Sequence, residues 1–263
     1  MSVSARSEPS GVDRPTLGLF VVIAAGMGVN VAAAAAALLP LPLAAVVATL
    51  LLNCSFTVWH EAVHGNLARR PRLNDAIGLA AAWLSMTPYF RIRQVHREHH
   101  AFTNDPVRDP DSLYVAGSFF TLPLRYARIL RRYRQIHLPL GERLLDGMGF
   151  LLVIAITALA WLAGHGATIV ATWLLPKAAS LALHAWYVNY LPHHGRPQGR
   201  FTSARVIERM GWLQPFVLFH NYHGLHHAYQ RVPWHRYRQE FERRRPELVA
   251  HHMPVQPSLR SGR

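Results

Sequence analysis

The sequence predicts an all-α integral-membrane protein: four transmembrane helices as two hairpins, with a cytoplasmic helical cap that carries clusters of histidine. Three observations predict it. Of the 263 residues, 51% are hydrophobic and only 16% charged, against about 25% in an ordinary soluble domain. Four long apolar stretches occur in two closely spaced pairs. Arginine and lysine are missing from the tips of both pairs and crowd the segments outside them.

Residues 1–15 form a polar N-terminal tail, expected to be cytoplasmic. From Thr16 to Leu39 no charge interrupts Leu, Val, Ile, Ala, Gly and Phe, and at about 1.5 Å per residue such a helix crosses a hydrocarbon core of ~30 Å. The alanine run Ala32 to Ala37 imitates a signal-peptide cleavage region. A second uncharged stretch at 40–59, after only a Pro-Leu-Pro break, argues instead for a hairpin. The second pair is 147–163 and 167–190, joined by Gly164-His165-Gly166 and interrupted by Pro176-Lys177. No Lys or Arg lies between Arg14 and Arg69, nor between Arg143 and Lys177. The positive-inside rule therefore places the N-terminal tail, the segment from Arg69 to Arg143 and everything after Tyr190 in the cytoplasm, with a bacterial inner membrane as the expected location. This topology also accounts for the net charge of +14 and removes the case for nucleic acid as a partner. The domain so defined runs over 16–239. The stretch 240–263, with Arg243-Arg244-Arg245-Pro246, reads as a solvated helix end and a basic, frayed C-terminal tail.

One cysteine, Cys54, rules out an intramolecular disulfide, a zinc ribbon and an iron–sulfur cluster, so any metal here is held by nitrogen or oxygen. Seventeen histidines outnumber the fourteen acids, and most of them fall in clusters near the ends of apolar spans. His60-Glu61-Ala62-Val63-His64 places two imidazoles one turn apart on a helix leaving the membrane. His96-Arg97-Glu98-His99-His100 and His223-Gly224-Leu225-His226-His227 each place three within about one turn. The first cluster alone equally fits a zinc metalloprotease helix with Glu61 as general base. Eight clustered histidines exceed what one catalytic zinc uses and suit two metal ions, whose identity imidazole alone does not fix.

The order H-E-x-x-H, H-x-x-H-H, H-x-x-H-H resembles the integral-membrane fatty acid desaturase and hydroxylase superfamily. The likeness extends to Thr103-Asn104-Asp105-Pro106 and Asp109-Pro110-Asp111 after the second box, to Val232-Pro233-Trp234 after the third, and to Asn189-Tyr190-Leu191-Pro192-His193 at the end of the fourth span. The last matches the N-x-x-x-H element of acyl-CoA desaturases. The resemblance covers about 51–237 and implies two iron ions held by His60, His64, His96, His99, His100, His193, His223, His226 and His227, with Asn189 near the metal through water. Glu61, Glu98, Asp105, Asp109 and Asp111 are placed to orient metal-bound imidazoles, although the aspartates equally suit turns. His184, an ionisable group inside an apparent span, is expected at the substrate cavity. His220 and His194 adjoin box residues without belonging to the motif. His137, His165, His235, His251 and His252 are read as not ligating.

The resemblance also implies the chemistry: dioxygen and two external electrons attack an unactivated C–H bond of a lipid, giving an alcohol or an alkene. No cytochrome b5-like or flavin-binding segment is visible, so electrons are expected from a separate ferredoxin or cytochrome b5 type carrier. The arginines Arg125, Arg128, Arg131, Arg132 and Arg134 are its expected docking site, with anionic lipid as the competing reading. The short chain and the Tyr190-Leu191-Pro192-His193 and Asn221-Tyr222-His223 elements look most like the β-carotene hydroxylase branch, which points to hydroxylation of an isoprenoid or carotenoid ring. Asn189, where that branch carries Asp, keeps acyl-lipid or acyl-CoA desaturation as the alternative. A membrane zinc metalloprotease and a histidine-rich metal or heme carrier without oxygen chemistry are the readings from other classes.

Overall fold

The computed structural model describes residues 11–260; most of the expected N-terminal tail, residues 1–10, lies outside them. Four helices are long and apolar enough to cross a membrane: α1 (Arg14–Ala35), α2 (Leu41–Val63) and, after three cap helices, α6 (Leu140–Leu162) and α7 (Gly166–His193). The cap helices are α3 (Pro71–Leu84), α4 (Tyr89–Phe102) and α5 (Leu122–Gln135). The chain closes with α8 (His223–Ala228) and α9 (Tyr237–Ala250), and with two short parallel strands, β1 (Val206–Ile207) and β2 (Val255–Gln256).

Asp13 starts α1 by accepting a hydrogen bond from the Thr16 amide, with Pro15 in the first turn where a missing N–H costs nothing. α1 ends at Ala35, earlier than the 16–39 stretch suggests, because Ala36 to Leu39 close the turn into α2 and Ala37 takes a left-handed backbone. α2 runs on past Trp59 to Val63, which carries His60 and Glu61 out of the apolar stretch on continuous helix and leaves His64 as the capping residue. α6 starts at Leu140, seven residues before the expected 147, so that Asp146 falls inside it. Of the most apolar window of each helix, 44% of residues are buried in α2 and in α7 but only 11% in α6; α2 and α7 therefore form the centre. The outer faces of α1 and α6 expose Val22, Val29, Leu151, Ile154, Leu159 and Trp161, a surface that suits acyl chains rather than water.

α7 contains two π-helical segments, Val170–Leu174 and Ala185–Tyr190. Each precedes a proline, Pro176 and Pro192, whose ring would clash with the carbonyl four residues back; those carbonyls, of Thr172 and Val188, lie inside the widened turns.

The segment between the hairpins does more than cap the bundle. α3 and α4 form a helical wedge whose connecting turn reaches far along α7: Trp173 Nε1 donates to the Leu84 carbonyl at 2.7 Å and Lys177 Nζ to Thr87 Oγ1 at 2.9 Å. Gly78 makes the wedge possible, because a Cβ there would stand 2.5 Å from that of Ala62 on α2. Asp146 on α6 accepts from the amides of Phe90 and Arg91 at 3.0 and 2.9 Å, capping α4 from a neighbouring helix. The 9-residue apolar run at its centre is too short to register as a span.

The expected frayed tail after Glu240 is corrected by the structure. α9 packs Tyr237, Phe241 and Leu248 against Val206, Tyr222 and Leu225, and β2 pairs with β1. The three apolar residues share one narrow face hidden among arginines, which pair with Glu208, Glu240, Glu242 and Glu247.

Candidate metal centre

Each histidine cluster is delivered by a different element to one end of the bundle. α2 supplies His60 and His64, α4 supplies His96, His99 and His100, α7 supplies His193, and α8 supplies His223, His226 and His227. Gly224 lets α8 seat: its amide donates to the Arg205 carbonyl at 3.1 Å, and a Cβ would meet the Ala204 carbonyl oxygen at 2.6 Å.

The rings converge into two groups. His60, His64, His96 and His226 form one and His99, His193, His223 and His227 the other, with the candidate ligand atoms of each group all within 4.8 Å of one another. His100 stands against the first group, its Nε2 3.0 Å from Nε2 of both His96 and His226, and its ring centroid is 4.2 Å from that of His227 in the second. His220 lies deeper, with Nε2 at 2.9 Å from Thr57 Oγ1 and its ring 5.1 Å from that of His60. His194 stacks on Tyr190 at an exposed position outside both groups.

The donor set fits metal. Imidazole nitrogen binds a first-row ion at about 2.0–2.1 Å, so two nitrogens at right angles around one ion stand ~3 Å apart. The Nε2 pairs His64–His96 and His223–His227 are 2.9 and 3.1 Å apart. Buried nitrogens without a protein partner collect here: both of His60, Nε2 of His193, and Nδ1 of His100, His220 and His223. Leaving such an atom unsatisfied costs about 1–3 kcal/mol, which an ion bound to it removes. Burial, then repulsion between neighbouring imidazoles, holds His96, His100, His223, His226 and His227 well below the ordinary histidine pKa. They are neutral, with a lone pair to give.

The second nitrogens are fixed by the chain. His99 Nδ1 donates to Asp109 Oδ1 at 3.0 Å, His193 Nδ1 to the Ser203 carbonyl at 2.9 Å, and His226 Nδ1 lies 2.9 Å from the Tyr237 hydroxyl. Glu61 lies beside Tyr237 and accepts from Asn66 Nδ2 at 3.1 Å. Burial opposes charge on His99, yet the carboxylates of Asp109 and Asp111 carry its pKa above the usual value. Burial, relieved in part by His99 and reinforced by Asp109, holds the Asp111 carboxyl above the ordinary aspartate range.

The other expected residues are placed as follows. Asp111 sits 3.9 Å from His99 Nδ1 and accepts from the Tyr133 hydroxyl. Asp105 closes a turn through the amides of Val107 and Arg108, and Glu98 accepts from Gln94 Nε2; neither meets a histidine among the described contacts. Asn189, in the second π-helical segment of α7, lies beside Tyr114. His184 binds the Asn53 carbonyl through Nε2 at 3.2 Å and packs on Phe56, which also stacks on His60. The arginines of α5 divide. Arg125 is buried and bonds the Leu113 carbonyl, and Arg132 bonds Ser112 Oγ, so those two are spent inside the cap. Tyr237, Ser203 and Thr57 touch the rings without any spacing in the sequence that announces them.

Fold and centre together define a membrane-type helical protein with two all-imidazole groups that fit metal at one end of its bundle. The model of the fatty acid desaturase family matches residues 36–258, and the chain belongs to that family, whose members depend on two irons. It is 30% identical over 197 residues to zeaxanthin 4-ketolase of Chlamydomonas reinhardtii, covering 68% of this chain and 39% of that protein. Beta-carotene ketolase of Paracoccus sp. (strain PC1) is 30% identical over 190 residues, 68% of this chain and 70% of that one. Omega-3 fatty acid desaturase fat-1 of Caenorhabditis elegans is 37% identical over 60 residues, 23% of this chain and 15% of its own. The chain thus spans well under half the length of the algal and nematode relatives and about 70% of the bacterial one.

Proposed function

We propose that this chain is a di-iron oxygenase that inserts oxygen at a ring carbon of a carotenoid or related isoprenoid. The observation that carries the reading is the pair of buried imidazole groups, free of carboxylate and thiolate, at the end of four apolar helices. His60, His64, His96 and His226, with His100 beside them, would hold one iron, and His99, His193, His223 and His227 the other. When bound, the irons supply the reduction of dioxygen and the attack on a C–H bond. Asp109, Ser203 and Tyr237 fix the rings so that one nitrogen of each faces the centre. Phe56, His184 and His220 stand between the first group and the bundle interior, where they would position an apolar ring.

Each hydroxylation consumes one dioxygen, two electrons and two protons, and yields the alcohol and one water. A second round on the same carbon gives a geminal diol, which loses water to become a ketone. The two relatives that align along most of the chain are both named as carotenoid ketolases, which favours the ketone as end product over the ring alcohol suggested by the sequence. Acyl desaturation is the second reading, favoured by the 60-residue match to an omega-3 desaturase. It consumes the same dioxygen, electrons and protons but yields an alkene and two waters.

The experiment is expression in a strain supplied with β-carotene and long acyl chains under isotopically labelled oxygen. Labelled keto or hydroxyl carotenoid is expected; a new acyl double bond without label gives the desaturase reading, and product formed without oxygen overturns both. The same proposal puts the metal centre and termini in the cytoplasm, with electrons from a separate carrier. A cysteine at His165 should react with an impermeant reagent from outside the cell, and one at Phe120 should not.

A further inference from the structure

A groove of about 1290 Å³ is lined by the start of α1, by the loops after α2, α4, α7 and α8 and by α9, and His100 and His227 are among its lining residues. Those two histidines belong one to each side of the metal centre. Eight arginines line the groove against two carboxylates, Asp13 and Glu240. Asp13 is engaged by Thr16 and His235, Glu240 by Arg243 and Arg244 of the groove itself, and Arg108 pairs with Asp105 outside the lining, so the groove keeps an excess of positive charge. The arginines come from separated stretches of chain, Arg14 at the start of α1, Arg108 after α4, Arg200 after α7, Arg231 after α8, and Arg243 and Arg244 on α9. Folding alone brings them together.

We propose that this groove, and not the arginine-rich helix α5, is the docking surface for a small acidic electron-carrier protein. The proposal rests on the oxygenase reading above, which needs electrons from outside. The rim is charged and suits no carotenoid, while its volume exceeds the roughly 300–1,000 Å³ of ordinary small-molecule pockets. Its arginines do not converge on one point: Arg231 donates to the His64 carbonyl at 2.6 Å and Arg200 to the Ala228 carbonyl at 3.0 Å, so each is held at its own place on the wall. A groove whose positive charge is distributed along its lining is complementary to an acidic protein surface. Each docked carrier gives up one electron and departs oxidised, so two visits supply the pair that one oxygenation consumes. No residue of α5 lines the groove.

The test uses the iron-loaded full chain in phosphatidylcholine nanodiscs, with an acidic plant-type [2Fe–2S] ferredoxin as probe and surface binding as readout. Saturable binding that weakens about tenfold between low and high salt is expected. The double variant Arg108→Glu with Arg243→Glu, two exposed rim positions, should raise Kd at least about tenfold, and the corresponding glutamines by less. Arg128→Glu with Arg131→Glu on α5 should leave Kd within about twofold. Unchanged affinity in the rim variant, an equal loss in the α5 variant, or displacement of ferredoxin by micromolar pyrophosphate overturns the proposal, the last by making the groove a small-anion site. Ferredoxin binding that obeys these expectations in a protein that oxidises neither carotenoid nor acyl chain defeats the oxygenase reading and leaves the docking surface standing.

Discussion

The two histidine groups are built from the same side chain and held in different ways. In the second group, His99 and His193 are pinned at Nδ1 by Asp109 and by the Ser203 carbonyl, and His227 Nδ1 lies 3.3 Å from Thr103 Oγ1. In the first, among the described residues, only His226 has such an anchor, Tyr237, while His60 has neither nitrogen bonded and is kept in place by the rings of Phe56, His64 and His96. Hydrogen bonds fix direction as well as position, whereas ring packing fixes position and leaves rotation cheaper. The second group, though His223 Nδ1 has no partner among the described residues, is held by more anchors from the chain than the first, which would take more of its geometry from a bound ion.

The largest expected effect tests whether both groups hold metal. His60→Ala and His223→Ala should each reduce bound metal from two ions per chain to one, with loss of turnover of at least about a hundredfold; elemental analysis and product assay read the two. An ion count unchanged by either substitution breaks the comparison. Next is Asp109→Asn, which removes the carboxylate from His99 and should weaken metal retention in the second group by about 10- to 100-fold. Tyr237→Phe should do the same for the first group, and chelator titration followed by elemental analysis assigns which ion leaves.

Acid sharpens the comparison further. Seven buried histidines outside the spanning helices, His64, His96, His100, His220, His223, His226 and His227, have pKa values below their unfolded ones, chiefly through burial. The unfolded chain then binds more protons than the folded one below the ordinary histidine pKa of about 6.5, and stability falls as pH falls through it. Metal-free protein should lose thermal stability steadily from about pH 7 to 5, read by intrinsic fluorescence. His99, raised by Asp109 and Asp111, works in the opposite direction. Asp109→Asn should therefore make the loss steeper. The smallest effect is expected from Glu98→Gln, whose carboxylate meets Gln94; metal content and turnover should stay within about twofold.

Four spans in two hairpins are legible in the sequence because hydrocarbon demands long uncharged runs. The convergence of the three boxes is equally legible, because imidazoles at helical spacing beside span ends have few other uses. The wedge of α3 and α4 is not, since its apolar run is shorter than a bilayer and its depth is set by Gly78, Asp146 and Trp173, contacts that exist only after packing. The groups that hold the rings escape for a similar reason. Asp109 stands ten residues from His99, but Ser203 acts through its carbonyl, which no side-chain pattern records, and Tyr237 is brought to His226 by the turn before α9. Asn189 lies beside Tyr114, a neighbour 75 residues away that no spacing in the sequence announces.

The distances along the chain between partners in the first group set a timetable for its assembly. His60 and His64 emerge from the ribosome with the first hairpin, but His226 follows 166 residues after His60, roughly 8–30 s later at about 5–20 residues per second. Asp13 and Thr16 wait longer still, for His235 and Trp234. Throughout that interval the first hairpin carries two imidazoles at the bilayer surface with no complete site to enter, so metal loading must be an event of the finished chain. A chain completed ahead of its metal supply would therefore load both groups after synthesis rather than during it.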